Sequence, residues 1–185
     1  MHNPQPTEEI LQCFDENKNP TEGRPKSVVK AKPNKYWYGI SCIWLVNNAG
    51  QILCSKRAMH LHANPGKWAS WFGGHVKEKH TFIQTAINEL REEAGVTVQE
   101  EDLFLIEASK KPEEKVFADR FAVLFNEPTI DLTKTDGEVS EVRWMNMEDH
   151  WREQQEHPEL WCSPCRPQYQ VRIREWLATK LKTRL

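Results

Sequence analysis

Three glutamates, Glu89, Glu92 and Glu93, follow one another at i, i+3 and i+4 in a segment with a helical pattern. This spacing places three carboxylates on one helix face, which we predict to lie opposite the apolar stripe. Two unit charges about 4 Å apart repel by about 4 kcal/mol at an effective dielectric constant of about 20, so a cation would relieve such a cluster. Hard oxygen ligands suit Mg²⁺ or Mn²⁺. The three glutamates are therefore candidate metal ligands, with a solvated acidic face as the alternative.

The element that carries these glutamates has clear start and stop signals. Thr81 and Gln84 form a capping-box pattern, and Gly95 supplies the left-handed residue that ends a helix. The apolar residues between them, which recur with a period of about 3.6, are Phe82, Ile83, Ala86, Ile87, Leu90 and Ala94. The pattern therefore predicts a helix from Thr81 to Gly95. The pair Gly73-Gly74 precedes it, and a turn without side chains lets the backbone approach a ligand closely.

The segment GGHVKEKHTFIQTAINELREEAGV resembles the Nudix box, whose pattern is G-x5-E-x7-R-E-U-x-E-E-x-G-U with U aliphatic. Seven of the nine specified positions match in register, at Gly74, Glu89, Leu90, Glu92, Glu93, Gly95 and Val96. The departures are His80 in place of the first Glu and Asn88 in place of the Arg. In the family that Arg helps to orient the carboxylate at the position of Glu89. A neutral hydrogen bond between His80 and Asn88 would be one replacement, and a weakened or silent site is the alternative.

The resemblance implies hydrolysis of a diphosphate linkage by water, with Mg²⁺, or Mn²⁺ as a substitute, as the metal. Its ligands would be Glu89, Glu92, Glu93 and the carbonyl group of Gly74. A carboxylate must also accept a proton from the water. One of the three helical glutamates is a candidate for this role, and so are Glu141 and its neighbour Glu138 on a late acidic strand that resembles one in the family.

The resemblance also nominates substrate-binding residues. Arg57 ends the strand-like segment ILCSKRA and is the candidate for binding substrate phosphate, next to Gly73 and Gly74. Trp71 is a candidate for stacking on a base, although this ring, like Trp37 and Trp68, would serve equally well in the core. The predicted substrate is a nucleoside diphosphate derivative or a related pyrophosphate. Dinucleotides, nucleoside triphosphates and prenyl diphosphates stay open, as does a non-catalytic module that binds a nucleotide or diphosphate.

Segments outside the box resemble the Nudix subgroup related to isopentenyl-diphosphate isomerase, over most of residues 8–150. This resemblance implies the α/β class, as an α/β/α sandwich around a mixed β-sheet. We expect a disordered tail at 1–7 and a single domain over 8–185, with a hairpin at 8–30 and a C-terminal helix at 168–182. Strands are predicted at 37–46, 51–57, 103–108, 116–125 and 139–145, with a loop at 58–71 and a short helix at 147–153. The expected position of the isomerase's active-site cysteine holds no cysteine here, which favours hydrolysis over an isoprenoid-diphosphate enzyme.

Composition argues against several classes of function. The chain has 185 residues, enough for one domain, and a formal net charge of −2, which disfavours a broad nucleic-acid-binding surface. No apolar stretch reaches the roughly 18 residues of a membrane span, and the polar first residues do not resemble a signal peptide. We therefore expect a cytoplasmic protein without a membrane partner, acting on a small-molecule diphosphate. Dimers are common in the family, and the N-terminal hairpin is where we expect a homodimer contact.

Cys162 and Cys165 form a CxxC pair in a chain with five cysteines, an odd number that favours reduced thiols. We predict a structural turn at this pair. A zinc site completed by Cys13 or His157 and a redox-active pair are the alternatives.

Overall fold

The computed structural model describes residues 8–163 and 166–182 of the chain. The tail predicted at 1–7, the last three residues of the predicted domain, and Cys165 of the CxxC pair lie outside the described residues. No described helix is both long enough and apolar enough to cross a membrane.

The described residues form ten strands, four α-helices and three short 3₁₀-helices. The strands are β1 (Ile10–Leu11), β2 (Cys13–Phe14), β3 (Arg24–Pro25), β4 (Trp37–Val46), β5 (Gln51–Arg57), β6 (Trp68–Ala69), β7 (Phe72–His75), β8 (Phe104–Lys111), β9 (Val116–Leu124) and β10 (Val139–Asn146). The helices are α1 (Lys26–Lys30), α2 (Phe82–Ala94), α3 (Met147–Glu156) and α4 (Pro167–Lys182).

The main sheet is mixed. Its central path runs β10-β5-β4-β9-β8, with β2 and β7 also pairing with β4 and with β6 pairing with β5. β4 and β9 run parallel, whereas the other strand pairs are antiparallel. The long apolar run of β4 is buried on both faces, as expected for the central strand of a covered sheet.

Each face of the sheet packs against a helix. Because side chains alternate along a strand, Cys42 and Trp44 of β4 join the core cluster that contains the apolar face of α4, including Ile173. Ile43 and Leu45 join the cluster that contains the apolar face of α2. The predicted α/β/α sandwich around a mixed sheet is therefore confirmed.

The two central strands diverge, and the gap between them is filled by the segment that precedes α2. β4 and β5 pair only where Val46 meets Ile52; farther along, β7 pairs with β4 and β6 pairs with β5. The prediction of a loop over 58–71 was wrong for Trp68 and Ala69, which form β6. A strand of two residues is defined by its partner in the sheet and has no periodicity that the sequence could show.

The N-terminal segment is more than the hairpin predicted for residues 8–30. β1 and β3 pair antiparallel, with Ile10 opposite Pro25, but β2 pairs with β4 and so joins the main sheet. Residues 26–30 form the short helix α1. This helical turn buries Val29 completely in a small core cluster with Leu11, which an extended strand end would not do.

Candidate active site

The helix that carries the three glutamates is fixed at both ends. The Thr81 hydroxyl accepts a hydrogen bond from the Gln84 backbone N–H at 3.1 Å, and the Gln84 side chain accepts one from the Thr81 N–H at 2.9 Å. Gly95 follows α2 with φ 66°, in the left-handed region. The predicted capping box and helix end are confirmed. The register of α2, and with it the direction of each glutamate, is set by these caps.

We predicted that all three glutamates lie opposite the apolar face of α2, and this prediction is wrong for Glu93. Glu93 is buried, with 6% of its surface exposed, on the same side of the helix as Phe82. The reason is geometric: eleven residues at 3.6 residues per turn return to within about 20° of the starting direction. Glu89 is mostly covered, and only Glu92, with 39% of its side chain exposed, reaches toward solvent.

The two glycines of β7 lie directly against the two covered carboxylates. The Gly73 backbone N–H donates a hydrogen bond of 3.0 Å to Glu93. Gly73 has φ 150°, and a Cβ atom there would lie 2.1 Å from the Ser41 carbonyl oxygen, so only glycine fits. A Cβ atom on Gly74 would lie 2.6 Å from the Glu89 carboxylate. The absence of side chains therefore lets β7 approach α2 closely enough to position Glu89 and Glu93.

Lys77 is a residue of this site that the sequence did not reveal. Its ammonium nitrogen lies 3.3 Å from a carboxylate oxygen of Glu92, 3.8 Å from one of Glu89 and 4.0 Å from one of Glu9. Burial lowers the pKa of Lys77, but the negative charges of Glu89 and Glu92 outweigh this effect and raise it. A lysine in the segment before a helix shows no periodicity, so no local pattern could have assigned it this role.

Burial perturbs the acidity of the two covered glutamates. Loss of solvation raises the pKa of Glu89 to about 7, against the opposing attraction of Lys77. Loss of solvation, together with repulsion by Glu89, raises the pKa of Glu93 to about 8, although the Gly73 N–H favours the charged form. Covered carboxylates whose charge is incompletely compensated are typical of functional sites.

His80 and Asn88 do not replace the glutamate–arginine pair of the box. These two described residues make no hydrogen bond to each other; Asn88 accepts a long bond of 3.5 Å from Arg91. The His80 backbone N–H donates to the Lys77 carbonyl group, while its buried Nδ1 atom has no partner. The cation beside Glu89 is instead Lys77.

A cavity of about 200 Å³ opens beside Glu93 and brings together several predicted residues. Arg57, Trp71 and Gly73 all line it. The Arg57 Nε–H donates to the Ala63 carbonyl group at 2.9 Å, which fixes one edge of the guanidinium group. These three predicted substrate-binding residues therefore face the same space as a buried carboxylate.

The two acidic candidates for the general base are Glu138, just before β10, and Glu141, on β10, and they lie in different places. Glu138 lines the cavity with Glu93. Glu141 does not line it: its side chain is 54% exposed and lies 3.4 Å from Lys56. The register of β10 shifts between Val139 and Glu141. Alternation along the strand therefore could not have shown which acid faces the cavity.

The remaining tryptophan and cysteine candidates have separate environments. Trp37 stacks on Phe117 with ring centroids 4.8 Å apart, and Trp68 is buried in the core, so neither lines the cavity. Cys162 lines the cavity, Cys13 is buried on β2, and exposed His157 lies 3.5 Å from Glu159. No zinc cluster involving these described residues is formed.

The donor set at α2 suits a hard divalent cation. Carboxylate oxygens and a backbone carbonyl group are the ligands that Mg²⁺ and Mn²⁺ prefer, and a bound cation would favour the charged forms of Glu89 and Glu93, which burial disfavours. However, within residues 8–163 and 166–182 no three His, Cys, Asp or Glu side chains are arranged to surround one metal ion. The three predicted carboxylates therefore do not surround a common point where a metal ion could bind. Lys77 lies next to two of them, Glu89 and Glu92.

The fold is thus a mixed sheet between two helices, with the two glycines of β7 packed against the carboxylate-bearing helix α2. A family model described as NUDIX domain matches residues 35–162. The chain belongs to the Nudix family.

A relative found by sequence comparison supports this assignment. Isopentenyl-diphosphate Delta-isomerase from Salmonella paratyphi B is 30% identical over 92 residues, which are 50% of this chain and 50% of that protein. The chain therefore spans about half the length of the curated relatives it matches.

Solved structures share the fold at lower identity. DR0079 from Deinococcus radiodurans has a TM-score of 0.65 at 17% identity, covering 80% of this chain and 90% of that chain. A C. elegans Ap4A hydrolase in a binary complex has a TM-score of 0.53 at 18% identity, covering 77% of this chain and 98% of that chain. At such identities these structures show the fold alone.

Proposed function

We propose that this protein is a pyrophosphohydrolase that cleaves the diphosphate linkage of a nucleoside diphosphate derivative or a related pyrophosphate, with Mg²⁺ and with Mn²⁺ as a substitute. The observation that carries the proposal is Glu93, which the Gly73 N–H holds in the lining of a cavity shared with Arg57, with Glu89 packed close to Gly74 on the same helix. Membership of the Nudix family supports the same reaction class. The cytoplasmic setting and the homodimer stay predictions.

In this proposal Glu89, Glu92, Glu93 and the Gly74 carbonyl group hold the divalent metal. When bound, the metal would neutralise developing phosphoryl charge and lower the pKa of an attacking water. The protein holds Glu93 through the Gly73 N–H and leaves Glu92 able to exchange Lys77 for another cation. Arg57, with its Nε–H fixed by Ala63, keeps its remaining donors for substrate phosphate.

Glu138 is the acid that we assign as general base. It lines the cavity with Glu93 and Arg57, whereas Glu141 is paired with Lys56 at the solvent side of β10. A base must reach the water that loses its proton, either directly or through one further water. Glu138 is in the right cavity for this role, and Glu141 becomes the weaker of the two candidates.

The alternative is a catalytically silent Nudix-fold module that binds a nucleotide or diphosphate. The observation that favours it is Lys77, which lies close to Glu89 and Glu92 where a metal would bind. An isoprenoid-diphosphate enzyme is the third candidate, on the basis of the curated relative.

A substrate panel with Mg²⁺ and with Mn²⁺ separates these functions. Nucleoside diphosphate derivatives, dinucleotides, nucleoside triphosphates and isopentenyl diphosphate are each incubated with the protein, and phosphate is measured after phosphatase coupling. We expect metal-dependent release with at least one diphosphate and its loss in Glu93→Gln and Glu138→Gln. Glu100→Gln, an exposed acid after α2, is the matched control and should retain full activity. Binding without release would favour the silent module, and isomerised product the third candidate.

A further inference from the structure

A second cavity, of about 250 Å³, lies on the face of the sheet that packs against α4. Trp44 of β4, Arg120 of β9 and Tyr169 of α4 line it. Trp71 lines this cavity and also the candidate active site, and the consecutive residues Cys162 and Ser163 line one cavity each. The two spaces therefore adjoin at Trp71. A volume below the roughly 300–1,000 Å³ of complete ligand pockets suits one part of a larger ligand.

The described lining of the second cavity is cationic. Lys111, Arg120 and Arg166 contribute to it, and none of the described lining residues is Asp or Glu. Lys111 and Arg120 have carboxylate partners, Glu114 and Glu107, but neither of these acids lines the cavity. An anionic group that enters the space would therefore meet positive charge without a facing carboxylate.

The guanidinium group of Arg120 is held in place by hydrogen bonds from one of its three nitrogens, Nη1. Its Nη1 donates to Glu107 at 3.1 Å and to the Ser109 hydroxyl at 2.8 Å, and the Tyr169 hydroxyl donates to the same Glu107 at 2.9 Å. The side chain is only 13% exposed. All hydrogen bonds of Arg120 to described residues use Nη1, so Nε and Nη2 keep donors in the planar geometry that binds two oxygens of one oxyanion.

Trp44 gives an independent sign of a missing acceptor. The residue is 2% exposed, and its indole Nε1 is buried without a hydrogen-bond partner among the described residues. A buried N–H without a partner is unusual and calls for an explanation. By contrast, the Ser70 hydroxyl, another polar group of this lining, is satisfied by His150 at 2.7 Å. Trp44 lines the same cavity as Arg120, so a ligand that enters it would lie beside a residue with an unpaired donor.

We propose that the second cavity binds the half of the substrate that lies away from the metal, and that this half is a planar ring carrying an oxyanion. Arg120 and Trp44 would donate to the oxyanion, while Trp71 and Tyr169 offer aromatic faces and edges to the ring. The assignment of a substrate half rests on the proposed function. The binding of such a group does not, because it needs neither metal nor turnover.

The test is a metal-free calorimetric titration with a matched pair of probes, pyridoxine 5′-phosphate and pyridoxine. We expect the phosphate form to bind at least about tenfold more tightly, as charge-assisted hydrogen bonds confer. Arg120→Lys, which keeps the charge but loses the planar fork, should weaken binding of the phosphate form by about tenfold. Trp44→Phe, which removes the indole N–H, should weaken it by about fivefold. Arg152→Gln, on the exposed face of α3, is the control and should leave it unchanged.

Three results would overturn the inference: no preference for the phosphate form, unchanged affinity in both Arg120→Lys and Trp44→Phe, or loss of binding in Arg57→Gln alone, which would place the probe in the candidate active site. Arg120→Gln is a harsher variant because it leaves Glu107 without its guanidinium partner. If it fails to fold, Arg120→Lys and Trp44→Phe still decide. Because no metal or hydrolysis is involved, a failure of the proposed reaction would leave this result standing, and the reverse also holds.

Discussion

Replacement of Lys77 by glutamine removes the ammonium group that lies 3.3 Å from Glu92 and 3.8 Å from Glu89. In a water-like dielectric these two attractions amount to about 1.3 and 1.1 kcal/mol. Lys77 and Glu92 are both more than one-third exposed, and measured exposed pairs contribute only about 0–1 kcal/mol each, so a total of about 1–1.5 kcal/mol is realistic. A divalent ion has to displace this ammonium group. We therefore expect Lys77→Gln to bind Mn²⁺ about tenfold more tightly than the natural chain.

The assay is a Mn²⁺ titration followed by electron paramagnetic resonance, with no substrate present. Lys79→Gln is the matched control: it changes the net charge by the same amount two residues away, and Lys79 forms no ion pair with any described residue. Its Mn²⁺ affinity should change by less than about twofold because exposed charges are screened. Unchanged Mn²⁺ binding in Lys77→Gln would refute the displacement argument. Weaker binding would show that Lys77 orients Glu89 for the metal.

Three further predictions concern backbone fit, pH and the core. Gly74→Ala should reduce turnover by about 100-fold with the fold retained, because its Cβ would lie 2.6 Å from the Glu89 carboxylate. Gly50→Ala, whose Cβ would meet no atom within 4 Å, should only lower stability by about 1 kcal/mol in urea unfolding, because Gly50 has φ 75°. Mn²⁺ affinity should rise between about pH 6 and pH 9, because the pKa of Glu93 is raised to about 8 by burial and only the charged form binds a cation; Glu93→Gln should flatten this titration. Burial lowers the pKa of His150, and likewise that of His75, to about 4, so the unfolded state binds more protons between about pH 6.5 and pH 4 and stability should fall as the pH is lowered through that window. His150→Gln should weaken this dependence in thermal unfolding, and the part due to His75 should remain.

Local signals were sufficient for the elements that define the fold. The Thr81 cap and Gly95 identified α2 because capping is an interaction between residues close in sequence. The long apolar run of residues 37–46 likewise identified β4, because it is a pattern within one segment. Local signals failed at β6, whose two residues become a strand only by pairing with β5. They also failed for Lys77, since its contacts with the carboxylates depend on how β7 packs against α2.

The spacing of the glutamates nominated three candidate metal ligands but assigned Glu93 to the wrong face of α2, and this error is informative. A carboxylate on the solvent face would have an ordinary pKa and no fixed partner. Glu93 instead lies on the buried side of α2, where the Gly73 N–H holds it and loss of solvation raises its pKa to about 8. Near neutral pH, Glu93 therefore carries a proton for much of the time, and Lys77 supplies positive charge to Glu89 and Glu92. Under the proposed function, a metal that binds here would replace both the proton and the ammonium group, so its affinity would depend on pH and on Lys77 together. The same packing of β7 against α2 that positions the carboxylates would then also determine how tightly they bind a cation.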